Sequence, residues 1–225
     1  MADVGPAESF GTPEAPIWLI GDSLPANWEA QLAHPFDPRH PARHSIWTPV
    51  LEVVQREVYP RRVSDTAFFI RNAVLRADDW GTGSPIKDWR LPAIVAACDQ
   101  LAQGIRRHKP LILISFGARS ANLTSRALRA ANGSNDAVEE IWTAGKLGAA
   151  FQKSVHLFSV EQVNHFPLLH ATIARRHFLT AHDRFVRGMD TATDPKSDAN
   201  AFEFSGKALA RVLLNSPSRP DIWQA

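Results

Sequence analysis

Short apolar runs that break off at a glycine or a polar side chain constrain this chain more than any other feature. Ile17-Trp-Leu-Ile20 stops at Gly21-Asp22-Ser23, and Thr66-Ala-Phe-Phe-Ile70 runs into Arg71-Asn72. Leu111-Ile-Leu-Ile-Ser-Phe116 stops at Gly117, and Phe166-Pro-Leu-Leu ends at His170. Runs that are apolar at nearly every residue, rather than at alternate ones, are the pattern of strands buried on both faces. Residues 155–160 read as a further strand. Amphipathic segments of helical length lie between the runs: a helix capped by Ser45 with Pro49 in its first turn, residues 91–107, the stretch after Ala118, residues 173–187 and residues 201–214. Strands alternating with helices at this spacing predict an α/β protein: a three-layer α/β/α domain around a central, mostly parallel sheet of four strands. Such sheets bind ligands outside the carboxyl ends of their strands, so the residues that end the runs are the first candidates for function.

The 225 residues suit one domain. Residues 16–215 are expected to form it, between a flexible tail at 1–15, rich in Ala, Gly, Pro and Glu, and a second tail at 216–225. The loop from Gly21 to Arg43 carries prolines at 25, 35, 38 and 41, and a patternless loop of that length tends to be functional. With a net charge of +2, nucleic-acid binding requires a local basic face rather than the field of the whole molecule. The single cysteine, Cys98, excludes an internal disulfide framework, a Cys-rich zinc site and a four-cysteine cluster. It reads as a core thiol on one face of a helix. No apolar run reaches the ~18 residues of a membrane span, and no secretory signal opens the chain. The expectation is a cytoplasmic monomer, without membrane, metal or cofactor.

Gly21-Asp22-Ser23-Leu24-Pro25 supports two incompatible chemistries. In the first, Ser23 is a nucleophile: Gly21-Asp-Ser-Leu24 resembles the first block of the GDSL (SGNH) hydrolases, and Gly133-Ser-Asn-Asp136 resembles their Gly-x-Asn-Asp block. Serine catalysis needs a base and an acid that orients it. That family supplies both through an Asp-x-x-His near the C-terminus, whereas the Asp-x-x-His of this chain is Asp37-Pro-Arg-His40, too early to match. The Gly-Ser-Asn-Asp run also follows a helical rather than a strand-like segment.

The second chemistry draws on four places in order. Phe68-Phe-Ile-Arg-Asn72-Ala-Val-Leu-Arg76 resembles the uracil-DNA glycosylase strand that ends in an asparagine within Asn-Ala-Val-Leu. Residues 109–121 are similar to the third strand and small-residue helix start of that superfamily, and Phe166-Pro-Leu-Leu-His170-Ala-Thr to the strand ending in its His-Pro-Ser motif. Gly21-Asp-Ser-Leu-Pro25 then stands where the water-activating motif belongs, and Pro35-Phe36 where an aromatic stacks on the base. The resemblance covers residues 16–187 and implies a uracil-DNA glycosylase-like fold and a DNA partner.

These residue types fit the chemistry it implies. An enzyme acting on a base must flip it from the duplex, stack it on an aromatic and read its polar edge. Phe36 offers a face, in competition with Trp28 and Trp47, and Asn72 offers an amide with donor and acceptor. Cleavage of the N-glycosidic bond builds positive charge on the sugar, which Asp22 stabilises while orienting water, and negative charge on the base, which His170 stabilises. His165, His177 and His182 compete with His170 for that role. Gly21, Ser23 and Leu24 complete the base-binding loop. Arg119, Arg175 and Arg176 are phosphate contacts, with Arg184 and Arg187 further along, and Ile173 or Arg175 fills the gap left by the flipped base.

The departures carry information too. The commonest uracil enzymes have Gly-Gln-Asp-Pro-Tyr, whose tyrosine blocks bases with a 5-substituent; here the acid is at the second position and Pro25 at the fifth. A second-position acid resembles the Gly-Glu-x-Pro-Gly form of the iron–sulfur branch, whose cluster cysteines are absent. His170 is followed by Ala-Thr instead of Pro-Ser. The missing tyrosine implies base excision of a modified pyrimidine, such as the hypermodified, glucosylated hydroxymethylcytosine that some superfamily members remove from phage DNA in antiviral defence. Repair of uracil, the esterase, and a non-catalytic DNA-binding protein with the same fold are the alternatives.

Overall fold

The computed structural model describes residues 9–24, 34, 37, 48–59, 67–81, 85–134, 139–170, 178–189 and 200–215. The elements run β1 (Ser9–Phe10), β2 (Ile17–Gly21), α1 (Thr48–Val58), β3 (Phe68–Asn72), a 3-10 turn (Ala77–Trp80), α2 (Pro92–His108), β4 (Ile112–Phe116), α3 (Ala118–Ala131), α4 (Ala144–His156), β5 (Asn164–Leu168), α5 (Phe178–Gly188) and α6 (Ala201–Leu214). The strands form one sheet in the order β1-β3-β2-β4-β5, parallel except for β1.

Each interior strand is buried on both faces because its two sets of side chains meet two different helical layers. Ile17 and Leu19 join Ile112, Ile114 and Phe166 under α1, α4, α5 and α6. Trp18 and Ile20 join Phe69, Leu113 and the α2 and α3 residues Leu101, Ile105 and Leu123. Alternation along a strand thus converts a continuous apolar run into two cores, which gives the three layers expected from sequence.

Two expectations are corrected. The sheet has five strands rather than four, because Ser9 and Phe10 pair antiparallel with Arg71 and Ile70 of β3; the part of the chain read as tail up to residue 15 therefore includes an edge strand. Residues 155–160 are not a strand. Val155 and His156 are the last residues of α4, which is capped where Lys146 N–H donates to Thr143 Oγ1 at 3.3 Å. Asn164 ties down the loop that follows: its amide donates to the carbonyls of Ser159, Gln162 and Leu111 at 2.7, 2.8 and 3.1 Å.

β2 pairs in parallel with β3 on one side and with β4 on the other. The chain therefore reverses its direction of travel across the sheet after β3, and the crevice created by such a reversal opens outside the carboxyl ends of β2 and β4. Gly21-Asp22 and Gly117 stand at those ends.

Candidate active site

The loops leaving β2 and β3 run on together as a ladder. Ala73 N–H donates to the Gly21 carbonyl at 2.9 Å, Val74 N–H to that of Asp22 at 3.2 Å, and Leu24 N–H to that of Leu75 at 3.2 Å. Leu24 and Arg76 extend the pairing as a parallel bridge, and Asp79 then accepts from Arg76 N–H at 2.8 Å to start the 3-10 turn. This ladder fixes the backbone of Asp22 and brings Trp80, the last residue of the turn, to its side chain.

Asp22 is an uncomfortable acid. Burial pushes its carboxyl from 3.8 to about 6, against the opposing pull of the Arg119 guanidinium and then of the Trp80 indole. Its Oδ1 is buried and has no hydrogen-bond partner, and the same holds for Trp80 Nε1. The Trp80 indole acts on the carboxyl from nearby, but no hydrogen bond joins its Nε1 to Oδ1. Arg119 reaches the pair from the first turn of α3, its Cζ 6.0 Å from the centre of the Trp80 ring. That turn is fastened to the central strand by Ser120, whose hydroxyl donates to the Ile20 carbonyl at 2.9 Å.

Gly117 connects β4 to α3 at φ 93°, a conformation that favours glycine. A Cβ here would come within 2.9 Å of His170 Cβ, so the missing side chain is what lets His170 rest against the end of β4. Desolvation pulls the His170 imidazole down to about 4, which leaves it neutral at pH 7 with one ring N–H to donate.

Two competing histidines have structural duties. Both ring nitrogens of His165 meet serine hydroxyls, Ser115 Oγ at 2.7 Å and Ser125 Oγ at 3.2 Å. His182 is buried and its Nδ1 accepts from Ala201 N–H at 2.9 Å, which satisfies the start of α6. His177 lies outside the described residues.

Asn72 ends β3 directly opposite Gly21, and its backbone carbonyl accepts from Arg71 Nε at 3.2 Å. With Leu24, Val74, Asp79 and Gln100 it lines a hollow of about 170 Å³. Leu24 is buried, while Asp22 and Ser23 are half-buried. Asp22, Arg119 and Trp80 thus come together, with Asn72 one strand away and His170 on the far side of β4. A hollow of about 640 Å³ lies at the amino ends of β2 and β4, beside Pro16, His108 and Leu111, away from these groups. Pro25, Phe36, Ile173, Arg175 and Arg176 lie outside the described residues.

Among the described residues nothing builds a serine triad around Ser23. No hydrogen bond joins Ser23 to a histidine among the described residues. Gly133, at φ 71°, ends α3, and Ser134 N–H donates back to the Arg129 carbonyl at 3.0 Å. That is a helix-terminating turn, not a strand end that would deliver an acid; Asn135 and Asp136 lie outside the described residues.

Among the described residues no group of three or more His, Cys, Asp or Glu could hold a metal ion, and no helix is long and apolar enough to cross a membrane. Trp80 is the participant that sequence reasoning missed. A tryptophan opening a Gly-Thr-Gly loop was the available signal, since an indole that large in a polar loop is usually buried against something.

A scan against protein-family models gives no match, and neither does a search of curated protein sequences.

Proposed function

We propose that the chain is a DNA glycosylase that takes a modified pyrimidine out of the stack and hydrolyses its N-glycosidic bond, leaving an abasic site. The observation that carries this reading is the Asp22 carboxylate, half-buried at the carboxyl end of the central strand with its inner oxygen, Oδ1, left unbonded. A structural acid in such a place is as a rule satisfied, whereas a carboxyl raised by burial and opposed by a neighbouring cation at a strand end is the pattern of a functional acid. Its burial makes the negative charge count for more than it would in solvent, which is what a developing sugar cation requires.

His170 supports the same reading. An imidazole that stays neutral at pH 7 donates an N–H without bringing a full positive charge, and so stabilises charge growing on a departing base oxygen. Asn72, at the neighbouring strand end, offers an amide to the base edge. Arg119, and the arginines expected after His170, offer charge to the phosphates. The substrate is a pyrimidine enlarged at its 5-position, with hypermodified phage cytosine as the leading candidate and a role in antiviral defence as its consequence.

Purified protein incubated with duplexes containing uracil, a thymine mismatch, 5-hydroxymethylcytosine or glucosylated 5-hydroxymethylcytosine, followed by alkaline cleavage, tests this. Strand scission is expected at the 5-modified cytosine and is expected to vanish in Asp22→Asn. Scission at uracil alone would turn the reading to repair. No scission on any duplex, with salt-dependent DNA binding retained, would leave a non-catalytic DNA-binding protein.

A further inference from the structure

The geometry points to Trp80 and Arg119 as the positioning residues of Asp22: the indole N–H docks against its buried oxygen, and the guanidinium, held across the indole face, neutralises its charge. This rests on the reading of Asp22 as the acid of the site, and it gives Arg119 a task beyond the phosphate contact expected from sequence.

Three observations carry it. Trp80 Nε1 and Asp22 Oδ1 are an orphaned donor and an orphaned acceptor, both buried, brought together by the same ladder. A buried donor and a buried acceptor that each lack a partner attract one another, since each alone costs as much as a lost hydrogen bond. Next, Trp80 is only 1% exposed, so its ring has one orientation and the N–H cannot turn to water. Last, Arg119 lies 6.0 Å from the ring centre, within the range of a cation–π contact, which keeps the guanidinium beside the acid without taking up the indole N–H.

Among the described residues Arg119, from α3, is the charged group that acts on Asp22, with Trp80 from the 3-10 turn as the polar one. Without them burial acts on the acid unopposed. Its carboxyl would then be raised further, leaving less of the charge that stabilises a cation or accepts from water.

The test reads Asp22 directly. Full-length protein labelled with carboxyl-¹³C aspartate is titrated by NMR, with Asp22→Asn identifying the resonance, in the wild type, Trp80→Phe and Arg119→Gln. Trp80→Phe keeps the ring and removes only the N–H. Both variants are expected to titrate about one pH unit higher than the wild type, since each removes one of the two influences that lower the carboxyl. The acidic limb of base release is expected to move with them, so that the ratio of activity at pH 6 to activity at pH 8 falls about fivefold. A midpoint unchanged in both folded variants overturns the inference. Should Trp80→Phe fail to fold, Arg119→Gln, which is half-buried, decides it. If the midpoint moves as expected but no duplex loses a base, the positioning role stands and the glycosylase reading falls.

Discussion

Two carboxylates of this protein have the same kinds of neighbour and opposite fates. Glu140 accepts from Trp89 Nε1 at 2.6 Å, Trp142 Nε1 at 2.8 Å and Arg126 at 2.8 Å, and Arg126 stacks on Trp89 with its Cζ 4.1 Å from the ring centre. These bonds, that from Trp142 foremost, hold its carboxyl below the usual glutamate range. Asp22 also has an indole and a stacked arginine, yet its buried oxygen is unbonded and its carboxyl is raised to about 6. The Glu140 cluster clasps the loops before α2 and before α4, and both indoles and the Arg126 guanidinium donate to the acid. Around Asp22 the same parts are present but left open. An acid satisfied by its own protein is a fastener, and one left unsatisfied under burial is held ready for something else.

The largest expected effect separates the two acids by activity. Asp22→Asn is expected to lower base release by about 10³-fold, the range of a positioned charged group, while Glu140→Gln leaves it unchanged; single-turnover assays on a 5-modified cytosine duplex check both. In the wild type, activity is expected to rise with pH through about 6 as Asp22 ionises. His170, already neutral above about 4, adds no second limb in that window. Equal losses in the two variants would dissolve the distinction.

Stability should separate them with the opposite sign. Asp22 is raised from 3.8 to about 6 in the fold, so the native state holds its proton more tightly than the unfolded chain. Its contribution is therefore most favourable at acid pH and falls as pH rises through that window. Above it the deficit levels off at about 3 kcal/mol. Asp22→Asn is then expected to raise the melting temperature at pH 7 and to change it little at pH 4, so that a variant inactive at pH 7 is also the sturdier one.

Gly117→Ala should follow in size. It forces a side chain into a backbone at φ 93° and to within 2.9 Å of His170 Cβ. A loss of about 2 kcal/mol is expected, together with reduced base release as His170 is pushed away. Chemical denaturation and the same assay read the two consequences, and a stable, fully active variant would remove His170 from the site.

How much of this was legible in the sequence follows from where each signal resides. Ile17–Gly21, Phe68–Asn72 and Ile112–Phe116 are locally written, because a strand buried on both faces needs an unbroken apolar run. The residues that end such runs, Gly21, Asp22, Asn72, Gly117 and His170, are legible for the same reason. Ser9–Phe10 was not, since two residues show no period and the pairing is supplied by β3. Residues 155–160 misled because Val155 and Val160 favour strands locally. The inward face of α4, built by Leu147, Gly148 and Phe151 at helical spacing, instead carried the helix on through Val155 and His156. Trp80 and Arg119 were invisible as partners of Asp22. They come from a 3-10 turn and a helix start far along the chain, and only the ladder between the loops after β2 and β3 brings them to one place.

The smallest effect tests the other half of the comparison. Glu140→Gln keeps the shape of the clasp and one oxygen to accept from an indole, but removes the charge that strengthens all three bonds. The cluster is about one-third exposed, so solvent screens much of that charge and a loss of about 1 kcal/mol at pH 7 is expected. The carboxyl of Glu140 lies below 4.5 in the fold. Its contribution is therefore present above that value and lost as pH falls through the lowered one, so the two proteins should converge in strong acid. Thermal unfolding followed by indole fluorescence at pH 7 and pH 3 reads this, since Trp89 and Trp142 both report on the acid they bind. A loss at pH 7 that persists undiminished at pH 3 would mean that the clasp works by shape alone. Its low pKa would then say nothing about why Glu140 and Asp22, given the same neighbours, behave differently.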